Sequence, residues 1–211
     1  MVGKTEEVYN VLKAKIISLE LAPGSEITNS LLEELNVSRT PMREALQQLE
    51  REGFVVVNSR KNTLVSEITR ELISNVFEVR YDVEPYIAKT FYKNIDLEEV
   101  HKNREILKTF YNNSYGRQYF IDVDNIIHNM ILKACTNSFF FELMTRVNDH
   151  SSRIRQFISM RNDQYERSVI QHQAILEAIE LGDPDAIEAA VRYHVIWSRE
   201  DAYIYMERAE L

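Results

Sequence analysis

Apolar residues recur at helical spacing from the start of the chain: Val8, Val11, Leu12, Ile16 and Leu19 share one face of a helix over residues 4–20. The run Leu21-Ala-Pro-Gly24-Ser-Glu-Ile27 breaks that pattern and reads as a turn. Thr28, Asn29 and Ser30 then precede Leu31-Leu-Glu-Glu-Leu35. Ser30 and Glu33 are spaced as a capping box, so a short second helix ends at Asn36, a residue that accepts left-handed backbone. A third helix begins near Arg39. Ser38 is placed to cap it, Pro41 falls in the first turn, where a missing N–H costs little, and Gly53 stops it. Met42, Ala45, Leu46 and Leu49 form its apolar face, while Arg39, Arg43 and Gln47 step by four along another. Residues 54–57 and 63–66, rich in valine and separated by a polar turn, predict a hairpin.

Beyond Glu67 strand-like alternation disappears, which divides the chain into residues 1–67 and an all-helical second domain over 68–211. Leu72, Val76, Val79, Val83 and Ile87 give an apolar face to a helix over 70–92, with Pro85 expected to kink it. Asp96 and Glu99 repeat the capping-box spacing and open a helix to about Tyr111, followed by a loop over 112–116. Further helices are expected at 117–135, 138–160 and 165–181. Gly182 closes the last of these, and Asp183-Pro184 caps and starts a final one. The fold class is therefore mainly α: three helices and a hairpin in the order of a winged helix-turn-helix, then an all-α bundle. No internal repeat and no low-complexity segment interrupts it.

The net charge of −8 argues against a protein that coats nucleic acid without specificity. That charge is uneven. Residues 1–66 hold eight Lys/Arg against nine Asp/Glu, and the remainder seventeen against twenty-four. A near-neutral head can bind DNA where its cations point one way, with affinity drawn from dimerisation and base contacts. The expected partner is thus a double-stranded palindromic operator bound by a homodimer. No apolar run has the length of a membrane span and no secretory signal opens the chain, so a cytoplasmic protein is expected. The single cysteine, Cys135, reads as a small core residue.

The third helix alone fits an ordinary amphipathic surface helix with solvated arginines. Its setting changes that. Guanidinium and amide groups pair with guanine and adenine edges or hold phosphates. Three segments carry a resemblance: Ile16-Ile-Ser-Leu-Glu-Leu-Ala-Pro-Gly24, Val37-Ser-Arg-Thr-Pro-Met-Arg-Glu-Ala-Leu46 and Leu49-Glu-Arg-Glu-Gly-Phe54. Over roughly residues 8–66 the chain resembles the GntR family of bacterial transcription regulators. The resemblance implies DNA contacts by Ser38, Arg39, Thr40, Arg43 and Gln47 on the helix and by Arg60 and Lys61 in the wing. Relatives usually carry glycine in the wing tip, where this chain has Ser59-Arg-Lys-Asn62; asparagine tolerates the positive φ of a tight turn.

A second constellation lies in the helical domain. Asp124 and His128, four apart, project from one helix face, a spacing that suits an exposed ion pair as well as an ion-binding couple. His172 lies ten residues before Gly182 and His194 twelve after it. A helical hairpin turning at 182–184 brings the two to similar heights, where they could share an ion. His101 and His150 have no such placement.

From about residue 70 to 206 the pattern Asp-x-x-x-His, a later His and a final His resembles the FCD ligand-sensing domain of the FadR-type branch of GntR regulators. It implies that Asp124, His128, His172 and His194 bind Zn²⁺, Ni²⁺, Mn²⁺ or a similar divalent ion. Three imidazoles and one carboxylate suit first-row metals, and an octahedral ion keeps positions for water or an effector carboxylate. Val76-Phe-Glu-Val-Arg80-Tyr-Asp-Val-Glu84 resembles that branch's first long helix. The likeness makes Arg80 the candidate clamp for a small carboxylate effector, with a structural pair to Glu84 as the other reading. Asn137 matches a family position and reads as a turn or cap residue. Two alternatives stay open: a metal-dependent hydrolase using the same Asp/His set, although no His-Glu-x-x-His and no placed base is present, and a regulator that senses an acyl thioester around a structural metal.

Overall fold

A computed structural model describes residues 3–28, 31, 34–57, 62–110, 117–158 and 162–210. The chain divides into two compact units, Met1–Ile68 and Thr69–Leu211.

In the first unit, helix α1 (Lys4–Ile17) buries Val8, Leu12 and Ile16. It stops earlier than the apolar pattern suggests, because Leu19 takes a left-handed φ of 63° and turns the chain. Leu31 and Glu34 are helical and Asn36 is left-handed, with φ 48°. The box at Ser30 and Glu33 lies outside the described residues. Helix α2 (Arg39–Glu52) buries Met42, Ala45 and Leu49 and ends at Gly53, φ 86°. Ser38 occupies the N-cap position, yet its side chain accepts no capping hydrogen bond.

Strands β1 (Val55–Val57) and β2 (Thr63–Val65) pair antiparallel, Val55 opposite Val65 and Val57 opposite Thr63. The segment expected to be only a turn also pairs with β2. Glu26 bridges Leu64, and the Ile27 N–H donates to the Thr63 carbonyl at 2.8 Å. Gly24 starts that edge with φ +74°, where a Cβ would run into the Glu67 carboxylate. Val8, Leu12, Ile16, Leu31, Met42, Ala45, Leu49, Phe54, Val55 and Val65 form one core. The hairpin and helices therefore hold α2 as a rigid rod with its polar face outward.

The second unit is a helical bundle: α3 (Arg70–Phe91), a 3₁₀ turn (Tyr92–Asn94), α4 (Leu97–Phe110), α5 (Arg117–Ala134), α6 (Ser138–Phe157), α7 (Asn162–Leu181) and α8 (Pro184–Arg208). The expected loop at 112–116 lies outside the described residues. Local signals start the helices. Thr69 Oγ1 accepts from the Leu72 N–H, Asp96 Oδ1 from Glu98, Asn137 Oδ1 from Phe139 and Phe140, and Asp183 Oδ1 from Asp185 and Ala186. Helix α3 runs on through Pro85. The Tyr81 carbonyl, which Pro85 has no N–H to reach, accepts from Arg192 Nη1 at 3.0 Å instead.

The buried face of α3 is turned from the expected one. It comprises Ile73, Val76, Phe77, Arg80, Glu84, Ile87 and Ala88, while Leu72, Val79 and Val83 are only half-buried. Two charged residues sit on the inward face, so apolar periodicity alone misplaces its centre. Helix α3 packs on α5, α6 and α8, and α8 packs on α7. Polar side chains from all five therefore meet in the middle of the bundle.

Candidate metal centre and reading helix

Asp124 and His128 project inward from α5, His172 from α7 and His194 from α8; all four are at most 3% exposed. One ligand atom from each falls in a set whose members lie within 4.8 Å of one another. His128 Nε2 stands 3.1 Å from His194 Nε2 and 3.5 Å from Asp124 Oδ1, and His172 Nε2 stands 3.7 Å from the same carboxylate oxygen. His172 Nε2 is buried without a hydrogen-bond partner among the described residues.

Each imidazole is held from behind. Glu84 Oε1 takes His128 Nδ1, Gln171 Oε1 takes His194 Nδ1 at 3.1 Å, and His172 Nδ1 meets the Ser168 hydroxyl at 3.4 Å and the Ser168 backbone. Partners on the second nitrogen fix the tautomer and aim the first nitrogen at a common point, as around metal-binding histidines. An orphaned Nε2, two convergent Nε2 atoms and a carboxylate oxygen fit a first-row divalent ion.

Electrostatics favours the same state. Burial lowers His172 to about 4, and burial followed by its cationic-prone neighbours His172 and His128 holds His194 well below the usual histidine value. Both are therefore neutral near pH 7 with lone pairs available. Burial alone would raise Asp124, but Arg155 and His128 outweigh it and keep its carboxyl well below the ordinary range. Burial opposes a charge on His128 too, yet the carboxylates of Glu84 and Asp124 outweigh it and raise its value above that of an ordinary histidine.

Beside the four donors lies a small cavity of about 20 Å³, lined by Phe77, Arg80, Asp124, Ile154, Arg155, Ile158, Ser168, Ser198 and Asp201. Arg80 is 1% exposed and donates from Nε to Glu84 Oε2 at 2.8 Å and from Nη1 to Ser151 Oγ at 2.9 Å. Its Nη2 stands within hydrogen-bond reach of both His128 nitrogens, 3.3 Å from Nε2 and 3.5 Å from Nδ1. Arg155 reaches Ser151 Oγ at 2.9 Å and Asp124 Oδ2 at 3.2 Å. The chain Asp124, His128, Glu84, Arg80, Ser151, Arg155 thus closes on itself as a ring. Across the cavity, Asp201 accepts from Gln164 Nε2 at 2.9 Å and pairs with Arg167, whose guanidinium stands 4.8 Å above the Trp197 ring.

On the first unit, Arg39, Thr40, Arg43, Glu44 and Gln47 line one open groove along α2. Glu44 is held aside by Thr5, which donates to Oε2 at 2.7 Å. Arg39, Thr40, Arg43 and Gln47 are exposed, as is Ser38.

Residues 4–65 match the bacterial regulatory proteins of the gntR family, and residues 75–196 match the FCD domain. The chain belongs to the GntR family, in its FCD branch. It is 26% identical over 196 residues to an uncharacterized HTH-type transcriptional regulator in an unstable DNA locus of Streptomyces ambofaciens, spanning 92% of this chain and 83% of that protein. With the galactonate operon transcriptional repressor of Escherichia coli K12 it shares 24% over 210 residues, spanning 89% and 92%. Among solved structures, E. coli McbR/YncC has the same fold, with a TM-score of 0.79 at 19% identity over 99% of this chain and 100% of that one.

This GntR protein is a DNA-binding transcription regulator, and the hydrolase alternative falls, since family and relatives are regulators. The four Asp/His positions read from the sequence come together in its FCD domain, and Arg80 lies beside them. Arg60 and Lys61 lie outside the described residues. His101 is a surface residue 3.1 Å from Glu180, His150 is buried on α6, and Cys135 is a buried core thiol. Sequence reasoning missed Arg155, Gln171, Ser168 and Ser198. The Ser151/Arg155, Ser168/His172 and His194/Ser198 spacings of four hint at three of them. No helix among the described residues is long and apolar enough to cross a membrane.

Proposed function

We propose that this regulator holds one divalent ion, Zn²⁺, Ni²⁺ or Mn²⁺, on Asp124, His128, His172 and His194, and that a small carboxylate entering the adjoining cavity alters its operator affinity. The observation that carries the reading is the orphaned His172 Nε2 aimed into a set of donors whose rear nitrogens are already held. Arg80 and Arg155 bring guanidinium donors to the cavity beside the carboxylates of Asp124 and Asp201, and this polar lining argues against an acyl chain. The relative that represses a galactonate operon bears a carboxylate's name, in keeping with an acid as effector.

Arg39, Arg43 and Gln47 read base edges, Ser38 and Thr40 hold phosphates with the wing residues Arg60 and Lys61, and the protein acts in the cytoplasm as a homodimer on a palindrome. An effector shifts that equilibrium only by its differential affinity for the two DNA-binding states, commonly about 1–3 kcal/mol or roughly 5- to 150-fold. The test is metal analysis together with operator titration, with and without candidate acids, on wild type and His172→Ala. The variant should lose the metal and the acid response while retaining basal operator binding. Unchanged metal content in His172→Ala would refute the assignment.

A further inference from the structure

The reading face of α2 carries a carboxylate among its cations. Glu44 follows Thr40 by four residues and precedes Gln47 by three, so these side chains share the exposed side of the helix, next to Arg39 and Arg43. Glu44 and Thr40 line the groove of the two arginines, and both also line a second hollow that reaches Lys4 and Thr5 on α1 and Ser38 ahead of α2. Glu44 is therefore the wall between the two. Among the described residues it pairs with neither arginine. One oxygen, Oε2, accepts from the Thr5 hydroxyl at 2.7 Å, across 39 residues of sequence, and Oε1 has no partner there.

A carboxylate fixed at this place acts on DNA in two ways. It repels phosphates, which weakens contact with a duplex of any sequence. It also accepts the exocyclic amino group that cytosine or adenine presents in the major groove, whereas guanine and thymine meet it with oxygen. Holding the side chain before DNA arrives removes part of the ordering cost of that contact. We infer that Glu44, held by Thr5, is a specificity-determining residue: it selects an amino-bearing base at one position of the operator half-site and disfavours non-specific DNA. The inference rests on the base-reading assignment of α2 above and adds a rejecting element to it.

The test uses the full chain at one fixed salt concentration. Selection from a random duplex pool gives the preferred sequence, and titrations compare that duplex with its single-base variants and with a scrambled duplex. The wild type should favour cytosine or adenine over guanine and thymine at one position, and the better of the two names the base read. Glu44→Ala should flatten that preference and tighten binding to the scrambled duplex about fivefold, the effect of removing one like charge a few ångströms from a phosphate in water. Thr5→Val keeps the charge and frees the carboxylate, so the preference at the same position should weaken while affinity for the scrambled duplex holds. Were Glu44 only a tie between α1 and α2, both variants would weaken both duplexes in parallel. That parallel loss, or an unchanged base preference in Glu44→Ala, overturns the inference, while an Arg43→Ala variant with relaxed preference leaves the reading helix standing. A wild type that selects no sequence, or an Arg43→Ala variant with the wild-type preference, overturns both.

Discussion

Acidifying the metal-free protein should destabilise its helical unit, and His172 sets the size of the effect. Its ring is 0% exposed, and burial lowers it from 6.5 to about 4. Between those two pH values the unfolded chain takes up a proton at this position and the folded chain does not, so unfolding is favoured as pH falls. The stabilisation is complete above 6.5 and is lost as pH drops to about 4. At about 1.36 kcal/mol per pH unit that interval corresponds to roughly 3 kcal/mol. His194, lowered by the same burial, acts with the same sign. His128 runs the other way, because its value is raised: its contribution is present below 6.5 and is lost as pH rises through its folded value. Asp124 and Glu84, both lowered, lose their contributions only as pH falls below the ordinary carboxylate range. The assay is urea unfolding in chelator from about pH 7 to about pH 4.5, followed by the fluorescence of Trp197, the single tryptophan, on α8. His172→Gln should show a shallower fall by about one proton's worth. An identical pH slope in wild type and variant would refute the reasoning.

Replacing Arg43 or Arg39 with alanine should cost roughly 1–3 kcal/mol of specific operator binding and relax the base preference, with the fold intact; selection from random DNA would show it. Leu49→Ala should destabilise the reading head by roughly 2–5 kcal/mol, since Leu49 is fully buried between α1 and the hairpin, as hydrogen exchange of the α2 amides would register. Asn137→Ala should remove the acceptor for two N–H groups of α6 and cost about 1 kcal/mol, while Asn137→Asp should restore it in thermal unfolding.

The helices were legible because their starts and stops are local chemistry. Asn137, Asp183 and Gly53 act on neighbours two to four residues away, and each does so here. Ser38 shows the limit, since its position was legible and its side-chain bond was not. The edge formed at residues 24–27 joins strands distant in sequence, which periodicity does not record. On α3 the apolar pattern pointed one step away from the true face, because Arg80 and Glu84 are buried as a pair and a hydropathy count sends charges outward. The candidate site divides in the same way. Asp124 with His128, and His172 with His194, follow from helical and hairpin spacing. Arg155 shows only its spacing of four from Ser151, and its contact with Asp124 arises once α5 and α6 are packed.

The closed ring of Asp124, His128, Glu84, Arg80, Ser151 and Arg155 also constrains how descendants of this sequence can change. Losing one partner of a buried ion pair costs about 3–5 kcal/mol, whereas exchanging both partners for apolar residues is close to neutral. Intermediates with one charged member gone are thus strongly destabilised, and the charged positions of the ring are expected to change together. Phe77, Ile154 and Ile158 face the same cavity from outside that ring and can vary one at a time, whereas Ser198 is tied to His194 Nε2 at 3.3 Å. A lineage can therefore retune what it senses through these three walls while its charge framework stays frozen.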